Sequence, residues 1–167
     1  TYEVKRLALE KGTDLIGVAP VERFREAPSD HHPQNVLPTA KNVVVFLKRL
    51  LDPIVDHCIP DHAELFDSHT HQMNSILARV TNDLAWRLYE KGYQAIPCPS
   101  VPVDCQYEST ISNKQAAVQA GLGEIGVNNL LLTPEYGPRV KIYTLITDAP
   151  LRSDGSFDGK ICNECFS

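Results

Sequence analysis

The sequence predicts an α+β domain in which helices pack on a mixed or antiparallel sheet. Three observations carry this. "NVVVFLKRL" (42–50) is β-branched and almost continuously apolar, as a strand buried on both faces requires. Met73, Ile76, Leu77, Val80, Leu84 and Leu88 recur at spacings of three and four, the stripe of one long helix. "NNLLLT" (128–133) and "RVKIYTLITD" (139–148) flank "PEYGP", which reads as a hairpin and makes part of the sheet antiparallel.

The remaining elements follow in order. "YEVKRLALEK" (2–11) is a short helix stopped by Gly12, and "DLIGVAPV" (14–21) is strand-like. "ERFREA" (22–27) supplies a helical turn or two. Residues 28–42, rich in Pro, His, Asp and Asn, read as loop, and 51–67 as irregular. Asp67 or Ser68 is the expected cap of the long helix, and Gly92 its end. "YQAIPCPSVPVDCQYEST" (93–110) starts as a strand; Pro97, Pro99 and Pro102 then forbid a helix and disfavour a central strand. Ser112 opens a short helix, "SNKQAAVQA", and residues 149–160 form a polar linker. There is no internal repeat.

Composition bounds the function. The 167 residues are 43% hydrophobic and 22% charged, enough for one domain with a core. The net charge of −5 argues against nucleic-acid binding through the global field. No apolar run approaches the ~20 residues that cross a bilayer, and no secretory signal opens the chain. Five unevenly placed cysteines argue against a disulfide scaffold and for a reducing compartment, the cytoplasm. Both ends read as cut, so the chain is expected to be a fragment of a longer protein.

"QAGLGEIGVNN" (119–129) matches G-x-G-x-x-G at Gly121, Gly123 and Gly126. A dinucleotide loop needs strand, glycine turn, then helix. Here the order is reversed, with a helix before and a strand after. Two readings remain. Gly121 is a left-handed helix cap and the other glycines shape a turn, or bare backbone lets a flat ligand rest there, with Asn128 and Asn129 offering amides.

"KQAAVQAGLGEIGVNNLLLTPEYGPRVKIYTLITDAPL" (114–151) resembles a stretch of the epoxyqueuosine reductase and reductive dehalogenase group of cobalamin-dependent iron–sulfur enzymes. That group carries Ala-Gly-Leu-Gly-x-x-Gly-x-Asn, then Leu-Leu-Leu-x-Pro-x-Tyr-Gly, then a strand ending Thr-Asp-x-Pro-Leu, and a cysteine cluster after a linker. The resemblance implies a nitroreductase-like sandwich, with residues 1–151 as a corrinoid-binding domain. Residues 152–167 would be a linker and the start of a ferredoxin-like iron–sulfur domain. It also implies base-off cobalamin against Gly121, Leu122, Gly123, Ile125, Gly126, Asn128 and Tyr136.

Cys162-x-x-Cys165 alone suits half a zinc site, a redox pair or half an iron–sulfur ligand set; the resemblance favours the last. Two thiolates cannot hold a [4Fe–4S] cluster. The chain by itself is therefore expected to lack an intact cluster, and its tail from Ser153 to be poorly ordered. Cys58, Cys98 and Cys105 have no ligand spacing and read as small buried or loop thiols. Reduction needs a proton donor. The resemblance points to Asp104 in "PVDCQYEST", while gapless spacing lands on Tyr107, and a tyrosine is the acid of the dehalogenase branch. Asp104 reads equally as a loop carboxylate bonding its own backbone. Asn113-Lys114 replaces the group's Glu-Arg. The six histidines show no H-x₃-H pair; His69 or His71 would face a substrate pocket.

The functional expectation is a cobalamin- and [4Fe–4S]-dependent reductase removing oxygen or halogen from a small molecule or modified nucleoside. An electron-donor protein would be its partner, a dimer an allowed assembly, and neither membrane nor nucleic acid a partner of this part. The alternatives are an FMN-binding nitroreductase-like enzyme and a non-catalytic corrinoid-binding or electron-transfer module.

Overall fold

The computed structural model describes residues 1–28, 31–58, 62–99 and 111–163. The elements are α1 (Tyr2–Glu10), β1 (Leu15–Pro20), a 3₁₀ turn (Val21–Phe24), α2 (Pro33–Val36), β2 (Asn42–Arg49), α3 (Asp52–His57), α4 (Ala63–Glu90), β3 (Ala95–Cys98), α5 (Asn113–Gln119), β4 (Glu124–Ile125), β5 (Leu131–Leu132) and β6 (Val140–Thr147).

The main sheet runs β1-β2-β6-β3, and every neighbouring pair is antiparallel. Helices cover both faces. Val44, Phe46, Tyr143 and Leu145 face α1 and α4, meeting Ala8, Leu77, Val80, Leu84 and Leu88. Val43, Val45, Leu47 and Ile146 face the other layer, meeting Val21, Phe24, Leu37, Ala116, Ala117 and Ala120. This is why β2 is apolar at successive positions rather than alternating: both of its faces are core. The expected stripe on α4 is the buried one. β3 lies at a sheet edge, where Pro97 costs no ladder bond to a second neighbour.

Five expectations are corrected. Residues 128–133 and 139–148 do not form a hairpin with each other. β5 pairs with β4, Leu131 opposite Ile125, while β6 sits in the middle of the main sheet between β2 and β3. The "PEYGP" turn closes on itself through Thr133 and Gly137. β6 is drawn into the centre because its alternate residues feed both cores. Next, α4 starts at Ala63, so Asp67 and Ser68 are interior; His62 at its start makes no side-chain cap, which leaves no local signal to read. Residues 51–67 are not irregular but hold α3, whose Pro53 lies in the first turn, where proline is tolerated. Residues 28–42 likewise hold α2, which Pro33 begins.

The fifth correction matters most for function. The segment from Ser153 to Asn163 is not loose: it is laid against β1 and the glycine loop. Asp154 N–H donates to Val18 O at 2.9 Å, and Asp154 Oδ2 accepts from Val18 N at 2.8 Å. The linker thereby meets the free edge of β1 at Val18. No helix among the described residues is long and apolar enough to cross a membrane.

Candidate functional site at the glycine loop

The site begins at α5. Ser112 caps it as expected, its Oγ accepting from Gln115 N at 3.4 Å. Ala116, Ala117 and Ala120 are buried against the sheet. A close approach makes this possible: a Cβ on Gly17 in β1 would lie 2.7 Å from Ala120 O. The end of α5, and the loop that follows it, therefore rest directly on β1.

The space beside the three glycines is taken by the chain's own atoms. Gly121 caps α5 with φ +74°, as the first of the two readings predicts, and a Cβ there would meet Gly155 O at 2.1 Å. Gly123 has φ +151°, and its Cβ would meet Leu132 O at 1.9 Å. Gly126 faces the Leu132 side chain, with Cδ1 at 2.8 Å from an added Cβ. Gly123 and Gly126 are buried. The missing side chains let β5 and the linker close onto the loop. The open side is the hairpin tip, where Val127 is 60% and Leu130 46% exposed, beside exposed Asn128 and Asn129.

The tip is fixed in shape. Asn128 Oδ1 accepts from Leu130 N at 3.1 Å, and Asn129 adopts φ 59°. Lys114 of α5 donates to Asn129 O at 2.7 Å and to Asn129 Oδ1 at 3.1 Å. Leu122 packs on the core, and Ile125 is half-buried in β4. Tyr136 is set apart from the tip, in the Thr133–Gly137 turn. There the Arg49 guanidinium sits 5.3 Å from its ring centroid, and Arg49 also pairs with Asp52. Arg139 joins this cluster through Asp56 at 2.8 Å and Asp52 at 3.2 Å. The Arg139 hydrogen bond holds the Asp56 carboxyl below the usual carboxylate range.

The linker docks through charged groups that residue spacing did not single out. Lys5 Nζ meets Asp154 Oδ1 at 2.5 Å. Arg23 donates to Gln119 O at 2.6 Å and to Asp154 O at 2.8 Å, tying the 3₁₀ turn to both α5 and the linker. Further on, Glu124 Oε1 accepts from the backbone N–H of both Ile161 and Cys162, each at 2.5 Å. Those bonds, Cys162 first and Ile161 next, lower the Glu124 pKa.

Cys162 is a free, half-exposed thiol beside the glycine loop. Its predicted companion Cys165 lies outside the described residues, as do Asp104, Tyr107 and Cys105. Cys58 and Cys98 are buried, and burial pushes the Cys98 thiol up to about 11, the behaviour of a packing thiol. Among the described residues no group of His, Cys, Asp and Glu is placed to hold a metal. A pocket of about 640 Å³ opens between the 3₁₀ turn and α5, lined by Arg23, Glu26, His31, Ser112, Gln115 and Gln119 among others. That volume lies within the usual range for small-molecule sites.

His69, expected near a substrate pocket, is engaged by the chain's own backbone. It is buried, and its Nε2 accepts from Leu51 N at 3.1 Å, holding the entry to α3 against α4. Burial lowers its pKa. The folded pKa lies below the unfolded value of ~6.5, so its contribution is full above that value and is lost as pH falls through it toward the folded pKa. Thermal melting between pH 8 and pH 5 should show the wild type losing stability below about pH 6.5 more steeply than His69→Gln, whose amide oxygen accepts without titrating. Parallel curves would remove His69 as the cause.

No family model matches the chain. Over 80 residues, 48% of its length, it is 40% identical to the tetrachloroethene reductive dehalogenase of Desulfitobacterium hafniense, and equally to that of Dehalobacter restrictus. It resembles the reductive dehalogenases. It spans only 13% of the length of these curated relatives. Solved structures extend the likeness to the fold. A catabolic reductive dehalogenase superposes with a TM-score of 0.74 at 23% identity, over 93% of this chain and 22% of that one. An epoxyqueuosine reductase crystallised with an epoxyqueuosine-modified tRNA stem loop superposes at 0.69 and 20% identity, over 98% of this chain and 49% of that one. The dehalogenase-like fold is therefore an antiparallel sheet between helical layers, with the glycine loop and linker along one edge.

Proposed function

We propose that this chain is the corrinoid-facing part of a cobalamin- and [4Fe–4S]-dependent reductase that removes halogen, or oxygen, from an organic substrate. The observation that carries this reading is the 40% identity over 80 residues to tetrachloroethene reductive dehalogenases. In the halide case R–X takes two electrons and one proton and leaves as R–H and X⁻. Cobalamin, when bound, supplies a low-valent cobalt centre for that reduction. The chain's own residues bind, shield and protonate. Asp104 or Tyr107 is the proposed proton donor to the carbon that loses the halide. The exposed tip of Val127, Asn128, Asn129 and Leu130 supplies the outward contact surface that the buried glycines do not. The pocket beside Gln115 and Gln119 would take the substrate or a projecting part of the cofactor. Cys162, with Cys165, would provide two of the four thiolates that a cluster needs. We read the sandwich as nitroreductase-like, the compartment as cytoplasmic and the electron source as a separate donor protein.

The test is reconstitution of the full-length protein, separately with cobalamin and with FMN, followed by absorption spectra. A base-off corrinoid spectrum with chloride release from tetrachloroethene supports the reading. Turnover of an epoxyqueuosine-modified stem loop without chloride release would move the substrate to the oxygen side. Tight FMN uptake with no cobalamin bound would overturn the reading. In the active protein, Asp104→Asn or Tyr107→Phe should lower turnover about 10²-fold or more, whichever is the donor, with little change in cobalamin binding.

A further inference from the structure

We propose that Glu124 is a latch that fixes the backbone of Cys162 to the glycine-loop hairpin, making it a positioning residue for the cysteine-bearing segment. One carboxylate oxygen accepts two successive amides, those of Ile161 and Cys162, across 37 and 38 residues of chain. Successive N–H groups aimed at one point form a concavity for an anion, and here the anion is a side chain of the same protein. The latch is rigid at its base. Glu124 pairs with Leu132, and Gly123 beside it lies so close to Leu132 O that no side chain fits. The far end of the segment is equally fixed, by Asp154 on β1 and by Gly155 packed on Gly121. Residues 154–162 are thus held at both ends along one loop, and the site of Cys162 is set by the fold rather than by a ligand.

This gives Cys162 two properties at once. Its position relative to the glycine loop is defined, and its N–H is committed to a carboxylate. An amide so engaged cannot donate to a sulfur of whatever Cys162 binds, and such hydrogen bonds are one of the levers on cluster potential. Only this second consequence rests on reading Cys162 as a cluster ligand; the latch itself does not.

The test is hydrogen exchange by mass spectrometry on the full-length protein, comparing wild type with Glu124→Ala, Glu124→Thr and Glu124→Gln. Threonine suits a strand but cannot span the gap, so it stands in if the alanine variant does not fold. In either variant the amides of Ile161 and Cys162 should exchange roughly tenfold faster or more, with β2 and β6 unchanged. Glutamine keeps an acceptor oxygen and should restore most of the protection. Unchanged exchange at 161–162 in the alanine and threonine variants would overturn the proposal. So would loosening that spreads equally to β2 and β6, since Glu124 would then be supporting the whole domain. A protein that bound neither cobalamin nor a cluster yet showed the local effect would refute the proposed function and leave the latch standing.

Discussion

Gly123→Ala is expected to lower thermal stability more than any other substitution in the glycine loop. At φ +151° the backbone occupies a region that is essentially closed to residues with a side chain; forcing alanine there costs about 1–3 kcal/mol from conformation alone. The new Cβ would also lie 1.9 Å from Leu132 O, a backbone atom that cannot swing aside, so β4 and β5 must part. Gly121→Ala should act by a different route. Its φ of +74° is the milder left-handed region, but the Cβ would strike Gly155 O at 2.1 Å and lift the linker off α5. Gly155→Ala, with nothing within 4 Å, is the control and should leave the melting temperature nearly unchanged. If Gly123→Ala melted with the control, the loop geometry described here would be wrong.

Asp154→Ala should be the most damaging change in the linker. Its carboxylate accepts from the Val18 N–H and pairs with Lys5. Val18 is fully buried, so removing the acceptor strands an interior donor, at about 1–3 kcal/mol. The surface share of the Lys5 pair adds up to about 1 kcal/mol. Asp154→Asn keeps an acceptor for Val18 and should recover most of the loss, whereas Lys5→Ala should cost only the ion-pair share. Protease cleavage after Arg152 should quicken in Asp154→Ala and not in Lys5→Ala. Equal melting of Asp154→Ala and Asp154→Asn would show that the Val18 contact contributes nothing.

Much of the scaffold was legible because it is written in local periodicity. The β-branched run of β2, the three-and-four stripe of α4 and the Ser112 cap of α5 each state their structure within one window. Pro97, Pro99 and Pro102 argued against a central strand, and β3 lies at the sheet edge. The misreadings share a cause. α4 begins without a capping side chain at His62, and α2 and α3 are too short for periodicity to register. The expected pairing of 128–133 with 139–148 failed because proximity in sequence was the only argument for it, while β6 has two apolar faces that a peripheral hairpin could not bury.

The sequence by itself determined the resemblance to reductive dehalogenases, the main strands and principal helix of the core, and the presence of three glycines and a Cys-x-x-Cys after a polar linker. Only the tertiary structure decided what packs against those glycines, where Cys162 sits, and that His69 supports the entry to α3. The physical reason is range. Patterns of burial repeat every two or three to four residues and can be read along the chain. A hydrogen bond from the Cys162 N–H to Glu124, or the room that Gly121 makes for Gly155, depends on backbone atoms more than 30 residues away that any sequence could have supplied.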